Sequence, residues 1–329
     1  MTELSEKILS SYQVRKTKKQ KTEFIDFMKR EIPSLRVEEG GALKNRNLVV
    51  GDVKRARVVF GAHYDTCAAL PFPNLIAPKN IAFTLFYGIL IALPFIALMV
   101  ATEIVLNLLT DHFYFAYWTA LAVFVVSYFG VFMLGVPNRH TVNDNTSGVI
   151  VLCELMKICE ERGWDDVAFV FFDNEEMGLL GSSYFRKLHK TEMKEKLLVN
   201  FDCVSDGDHM LFVLNKQASE RYEEMLRASL PASEKKTAHL ESASTTFYPS
   251  DQKGFPVSVA VSAMKKARVL GLYLDRIHTK RIRLWMKPIL LIFAKQRSAF
   301  LWRSASDLAE FFGKNVPFLP FRSLYLIEI

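Results

Sequence analysis

Cysteine is scarce in these 329 residues: there are four, Cys67, Cys153, Cys159 and Cys203. They are too few and too scattered for a disulfide scaffold, and they lack the paired short spacings of a structural zinc site. Reduced thiols in a reducing compartment are the simplest expectation. The opening stretch MTELSEKILSSYQVRKTKKQK has no apolar segment behind it, so no secretory signal is expected. A basic stripe is also missing. The formal charge is +7, but residues 279–329 hold nine Lys/Arg against three Asp/Glu, which leaves the rest close to neutral. Nucleic-acid binding therefore finds no support. Half of the residues are hydrophobic and 23% are charged, which excludes disorder, collagen-like repeats and a bundle made only of membrane helices.

Charge is absent from two internal runs. Ile81–Ala101 carries none, and at ~1.5 Å per residue it reaches ~30 Å, one bilayer core. Phe113–Val136 is equally uncharged and supplies Tyr114, Tyr117, Trp118 and Tyr128. A pair of buried core helices would show a polar stripe or run shorter, so a transmembrane hairpin spanning residues 80–136 is expected. Pro94 is compatible with a spanning helix. The link Thr102–His112 holds Glu103 and Asp111 but no Lys or Arg, whereas Lys79 and Arg139 flank the pair. The positive flanks place the remainder of the chain in the cytoplasm.

With residues 80–136 set aside, the chain reads as α/β. Ser5–Ile32 has helical spacing, with a basic patch from Arg15 to Lys21 that reads as a solvated helix face. Asn47–Val50 and Arg57–Gly61 are short β-rich runs. Thr146–Arg162 reads as a helix, Val167–Phe172 as a buried strand, Gly181–Lys190 as a helix, and Lys196–Phe201 and Val257–Val261 as further strands. Strands alternating with helices imply a three-layer sandwich with a mostly parallel mixed central sheet. The expected organisation is residues 1–79 and 137–280 as one domain interrupted by the hairpin, followed by a basic, apolar segment at 281–329.

Groups able to bind a metal recur where those strands end. Arg57–Gly61 runs into His63, Tyr64 and Asp65. Asn143-Asp144-Asn145-Thr146-Ser147-Gly148 precedes a helix. Val167–Phe172 ends in Asp173-Asn174-Glu175-Glu176, Leu197–Phe201 ends in Asp202, and His278 follows the last strand. Sites in such sheets collect at the carboxyl ends of the strands. Imidazole and carboxylate suit zinc, manganese or cobalt. Each piece alone is commonplace; all of them in this order are not explained by solvation.

The stretches GAHYDT, NDNTSGV, DNEEMGLLGS, NFDCV, SDQKGFP and RIHT resemble the di-zinc aminopeptidases of metallopeptidase family twenty-eight. The resemblance covers roughly residues 47–66, 137–215 and 245–280, with the hairpin as an insertion. It implies two Zn2+ (or Mn2+ or Co2+), with His63 and Asp202 on one ion, Glu176 and His278 on the other, and Asp144 bridging. It makes Glu175 the general base and Asp65 the carboxylate that orients His63. A cation pair ~3.5–4 Å apart needs a shared anion, and a glutamate beside a ligand can take the proton of an acidified water. Tyr248 is a candidate for the substrate oxyanion, or a packing tyrosine.

The implied activity is a membrane-anchored, zinc-dependent exopeptidase that hydrolyses N-terminal peptide bonds, with a peptide substrate and the lipid bilayer as partners. Two alternatives stand beside it: a glutaminyl-cyclase-like transferase using one zinc, and a non-catalytic membrane scaffold on the same fold. Gln252 stands where the family usually has histidine, and Ile282 where it has an acid. From Ile282 onward no resemblance remains. That segment reads either as a membrane-surface element or as a replaced C-terminus lacking the closing helix.

Overall fold

A computed structural model describes residues 1–229, 237–275 and 278. The segment 281–329, including Ile282, lies outside the described residues. Nine strands form one mixed sheet: β1 (Arg36–Gly40), β2 (Asn45–Val50), β3 (Val58–His63), β4 (Val167–Phe172), β5 (Leu197–Phe201), β6 (His209–Leu214), β7 (Thr237–Ser242), β8 (Ser258–Ala267) and β9 (Gly271–Tyr273). The order is β1-β2-β4-β3-β5-β8-β6-β7, with β9 on β8. The four central strands β4, β3, β5 and β8 are parallel neighbours, while β1, β2, β6 and β9 join by antiparallel pairing.

Alternate residues of the central strands point to opposite faces, and both faces are dry. Val167, Phe169 and Phe171 of β4, with Val58 and Phe60 of β3 and Val199 and Phe201 of β5, face one cluster. That cluster is roofed by α1 (Glu3–Ser11), α2 (Lys18–Glu31), α5 (Ser147–Glu161) and, through Ala218 and Leu226, α7 (Lys216–Ser229). Ala168, Val170, Phe172, Val59 and Leu198 face the other, closed by Phe185 of α6 (Leu180–Leu188), Met193 and Phe255. This is the three-layer arrangement, and it explains why β4 is apolar at every position.

The N-terminal segment differs from the expectation of one helical stretch with a solvated basic face. It breaks into α1 and α2, and Thr17 and Gln20 form a reciprocal cap at the start of α2. Arg15 falls in the break and is fully buried, because carbonyls are there to receive it. Its guanidinium donates to the backbone oxygens of Tyr12 and Tyr64 and to Thr146 Oγ1, and stacks over Phe24. Lys21 is buried against Asp173, Nζ to Oδ1 2.6 Å.

The two apolar runs form α3 (Ile81–Thr110) and α4 (Phe113–Phe129), the latter prolonged by a wider helical turn at Gly130–Leu134. The expected link at Thr102–His112 shrinks to Asp111 and His112. Ile104, Val105, Leu106, Leu108 and Leu109 carry the helix on through it, and Asp111 ends it in a left-handed conformation. No residue of α3 is buried, and only the small Ala116 and Ala120 of α4 are, where close helix approach needs small side chains. Leu108 and Leu109 are 82% and 75% exposed. Two helices are thus long and apolar enough to cross a membrane, and neither is a core helix.

Candidate metal centre

The parallel register sets the ends of β3, β4 and β5 side by side. His63 lies opposite Phe172, and the Tyr64 amide donates to the Phe172 carbonyl at 2.9 Å. Asp202, one residue past β5, is held by its amide to Val261 of β8 at 3.0 Å. β8 runs past Val261 to Ala267 and turns into β9, so His278 arrives from a returning hairpin and not from the tip of the last parallel strand. The Leu70 amide donates to the His278 carbonyl at 3.3 Å.

Asp144 reaches the centre on a loop lashed down by its neighbours. Asn143 Oδ1 accepts from the amides of Ser205 and Asp206. Asn145 Oδ1 accepts from the amides of Gly148 and Cys203, while its Nδ2 donates to Phe201 O. The two asparagines therefore do more than cap α5: they fix Asp144 against the Asp202 loop. The Asp144–Asn145 peptide is cis. Asn174, in the left-handed region that asparagine tolerates, turns the chain so that Glu175 and Glu176 enter the site.

The five proposed donors converge. Asp144 Oδ1 lies 3.3 Å from His63 Nε2 and Asp144 Oδ2 lies 2.9 Å from His278 Nε2. His63 Nε2 is 3.6 Å from Asp202 Oδ1, and His278 Nε2 is 3.4 Å from Glu176 Oε2. One carboxylate thus faces two imidazoles, each with its own second carboxylate. Glu175 groups with His63 and Asp202.

Asp65 acts differently from a simple partner of His63. Its carboxylate accepts from the amides of Glu175 and Glu176 at 3.0 and 3.2 Å, and stands 3.6 Å from His63 Nδ1. The atom nearer to Nδ1 is the Asp65 carbonyl oxygen, at 3.0 Å. Tyr248 points its hydroxyl at the Asp202 carbonyl and at Ser262, so its reach is to the back of Asp202. Gln252 bonds Tyr248 O and Asn200 within the same buried network.

Negative charge dominates the centre. Burial opposes protonation of His63, yet Glu175, Asp144, Asp202 and Asp65 outweigh it and hold the imidazole well above its ordinary pKa. His278 is raised in the same way, with Glu176 the main opponent of burial. Burial raises Glu175 well above the carboxylate range despite His63, and Glu176, Asp251 and Asp202 add to it. Asp251, fully buried with neither oxygen in a well-formed hydrogen bond, is pushed up to about 7 by burial, with His63 and Ser182 pulling the other way. Glu176 Oε1 and Asp202 Oδ1 are likewise buried and unpartnered. Oxygen and nitrogen donors that converge in negative excess, with oxygens lacking hydrogen bonds, fit divalent cations.

The model for peptidase family M28 matches residues 127–281. This stretch resembles the M28 peptidases. It contains Asp144, Glu175, Glu176, Asp202 and His278, while His63 and Asp65 lie before it and are brought in by β3. No curated protein matches the sequence. Similar solved structures include the LapA aminopeptidase of Legionella pneumophila, 14% identical over 93% of this chain and 68% of that one, with a TM-score of 0.49. They also include the TET1 peptidase of Pyrococcus horikoshii, 15% identical over 92% and 100%, TM-score 0.46. A zinc aminopeptidase of Bacillus subtilis is 16% identical over 78% and 49%, TM-score 0.42.

Several residues of the centre carried no signal in the sequence reading. Asn138 lies in no motif, Cys67 reads only as a reduced thiol, Asp251 only as a letter of SDQKGFP and Arg15 only as part of a basic patch; the fold alone brings them to the site. Asn143 and Asn145 were visible as a turn, but their grip on the Asp202 loop was not.

Proposed function

We propose that this chain is a zinc-dependent exopeptidase that hydrolyses amide bonds at peptide N-termini. The carrying observation is the division of Asp144 between His63 and His278, one oxygen to each. On this reading His63 and Asp202 hold one ion, Glu176 and His278 the other, and Asp144 both. Bound there, a divalent pair polarises the scissile carbonyl and lowers the pKa of the attacking water.

The remaining work falls to the chain. Glu175, grouped with His63 and Asp202, would accept the proton of that water at its carboxylate and pass it to the departing amine. Asp65 fixes the backbone of Glu175 and Glu176 together, so base and ligand keep their spacing. Tyr248 positions Asp202 through its carbonyl. The purified chain should release amine from aminoacyl-anilides, lose that activity to a chelator and regain it with zinc. A folded, zinc-loaded sample without amide hydrolysis would overturn the reading.

We further propose that α3 and α4 span a bilayer, with the peptidase domain in the cytoplasm. Their exposed apolar surface supports this, as do the uncharged runs 81–101 and 113–136, with Glu103 near the far end of α3 and Lys79 and Arg139 flanking the pair. The hairpin leaves the fold between Asp65 and Asp144, so it tethers the enzyme close to its own centre. All four native cysteines are buried, so Asp111→Cys gives one accessible thiol. An impermeant maleimide should label it from outside intact cells; labelling only after the cytoplasm is opened would reverse the orientation.

A further inference from the structure

One donor at the centre has no place in the scheme above. Cys67 is fully buried on the loop after β3, and its Sγ lies in a group with donor atoms of Asp144, Glu176 and His278, all within 4.8 Å of one another. Zinc holds such donors at ~2.0–2.3 Å, so in a tetrahedral site they stand roughly 3.3–3.8 Å apart. A contraction of about an ångström would bring this group to ligating distance. Asn138, itself buried, directs its Nδ2 at Sγ (3.6 Å), and its amide donates to the Cys67 carbonyl at 3.1 Å. The neighbouring backbone is stitched on both sides, Ala68 to Pro137 and Leu70 to His278. The sulfur is therefore held toward the histidine.

Cys203 offers a contrast. It groups with Asp144 and Asp202 without a histidine, and it packs among Leu211, Tyr248, Ala260 and Met264 as a core thiol does. Cys67 belongs to none of the apolar clusters among the described residues.

We propose that Cys67 is a fourth protein donor to the ion held by Asp144, Glu176 and His278. The proposal rests on the metal reading above. As the ion binds, the thiol proton leaves to solvent and the S–H bond is replaced by a sulfur–metal bond, with no change of oxidation state. Three consequences follow for the pair. The site becomes mixed in N, O and S, which favours zinc over manganese. It is also filled by protein, whereas the His63–Asp202 side keeps room for water and substrate. The two ions are then unequal, one the tighter and one the more open.

The test is a Co2+ titration of the chelator-stripped full chain in detergent micelles, followed by absorption. Visible ligand-field bands report any bound cobalt; a near-ultraviolet sulfur-to-cobalt band reports a thiolate ligand. The expected result is both, with the sulfur band lost in Cys67→Ser and kept in Cys203→Ser. In zinc competition, Cys67→Ser should loosen one of the two ions by on the order of a hundredfold and leave the other unchanged. Ligand-field bands without the sulfur band in the native chain would overturn the thiolate and leave the metal pair standing. So would a sulfur band that survives Cys67→Ser and is lost in Cys203→Ser. No cobalt binding at all would remove both. The native spectrum decides even where a variant fails to fold.

Discussion

At the scale of single residues, two carboxylates separate chemistry from structure. Glu175 sits beside Glu176, the proposed ligand, without sharing the Asp144–His278 contact, so Glu175→Gln should keep its metal and lose turnover by about 10²–10⁴-fold. Anilide hydrolysis and metal content, measured on one sample, check this; equal loss of both would make Glu175 a ligand. Asp251 has the opposite character. It is buried, has no well-formed hydrogen bond, and burial pushes its pKa up to about 7, against roughly 3.9 in an unfolded chain. Its folded pKa is raised, so folding favours the protonated form and stability falls as pH climbs from about 4 to 7. In metal-free protein, Asp251→Asn should therefore gain in melting temperature over the native chain across that interval. A difference independent of pH would mean that Asp251 does not titrate there. Glu175 was legible from its place after a strand, next to Glu176. Asp251 was legible only as a motif letter, because its burial depends on loops distant in sequence.

At the scale of elements, the central strands were readable because both of their faces are covered, leaving β4 without a polar position. The edge was not. β1 mixes exposed and half-buried residues without alternation, β7 is nowhere buried, and β6 is joined to β8 only by long-range pairing. The basic stretch before α2 misled for a related reason: a charge run says nothing of carbonyls waiting across the fold for Arg15. At the centre α5 packs closely against the end of β5. A Cβ on Gly148 would meet the Phe201 carbonyl at 2.5 Å and the Asn145 amide group at 2.6 Å. Gly148→Ala should therefore cost about 1–3 kcal/mol and weaken metal binding, since it pushes the Asp144 loop off Asp202. Denaturant unfolding and zinc affinity measured together test this; a stable variant with native affinity would show that the loop gives way freely.

At the scale of the whole molecule, the chain places its centre beside its most apolar element. The hairpin departs after the His63–Asp65 strand end and returns just before Asp144. At its exit the Asn138 amide donates to the Cys67 carbonyl and the Val136 carbonyl accepts from the Ala69 amide. The apolar runs were plain in sequence because a bilayer core demands an unbroken stretch of such length. Their contact with the loops of the candidate metal centre was not, since it rests on a few backbone bonds. What the molecule gathers from five separate stretches is a set of oxygen and nitrogen donors that we propose holds two cations. Zinc bound per chain, determined on protein stripped with chelator, reloaded and freed of excess ion, reads that directly. The value expected is two, falling in Asp144→Ala, where neither ion keeps its shared ligand. One zinc in the native chain would instead match a transferase of the glutaminyl-cyclase type, and none would remove the hydrolase.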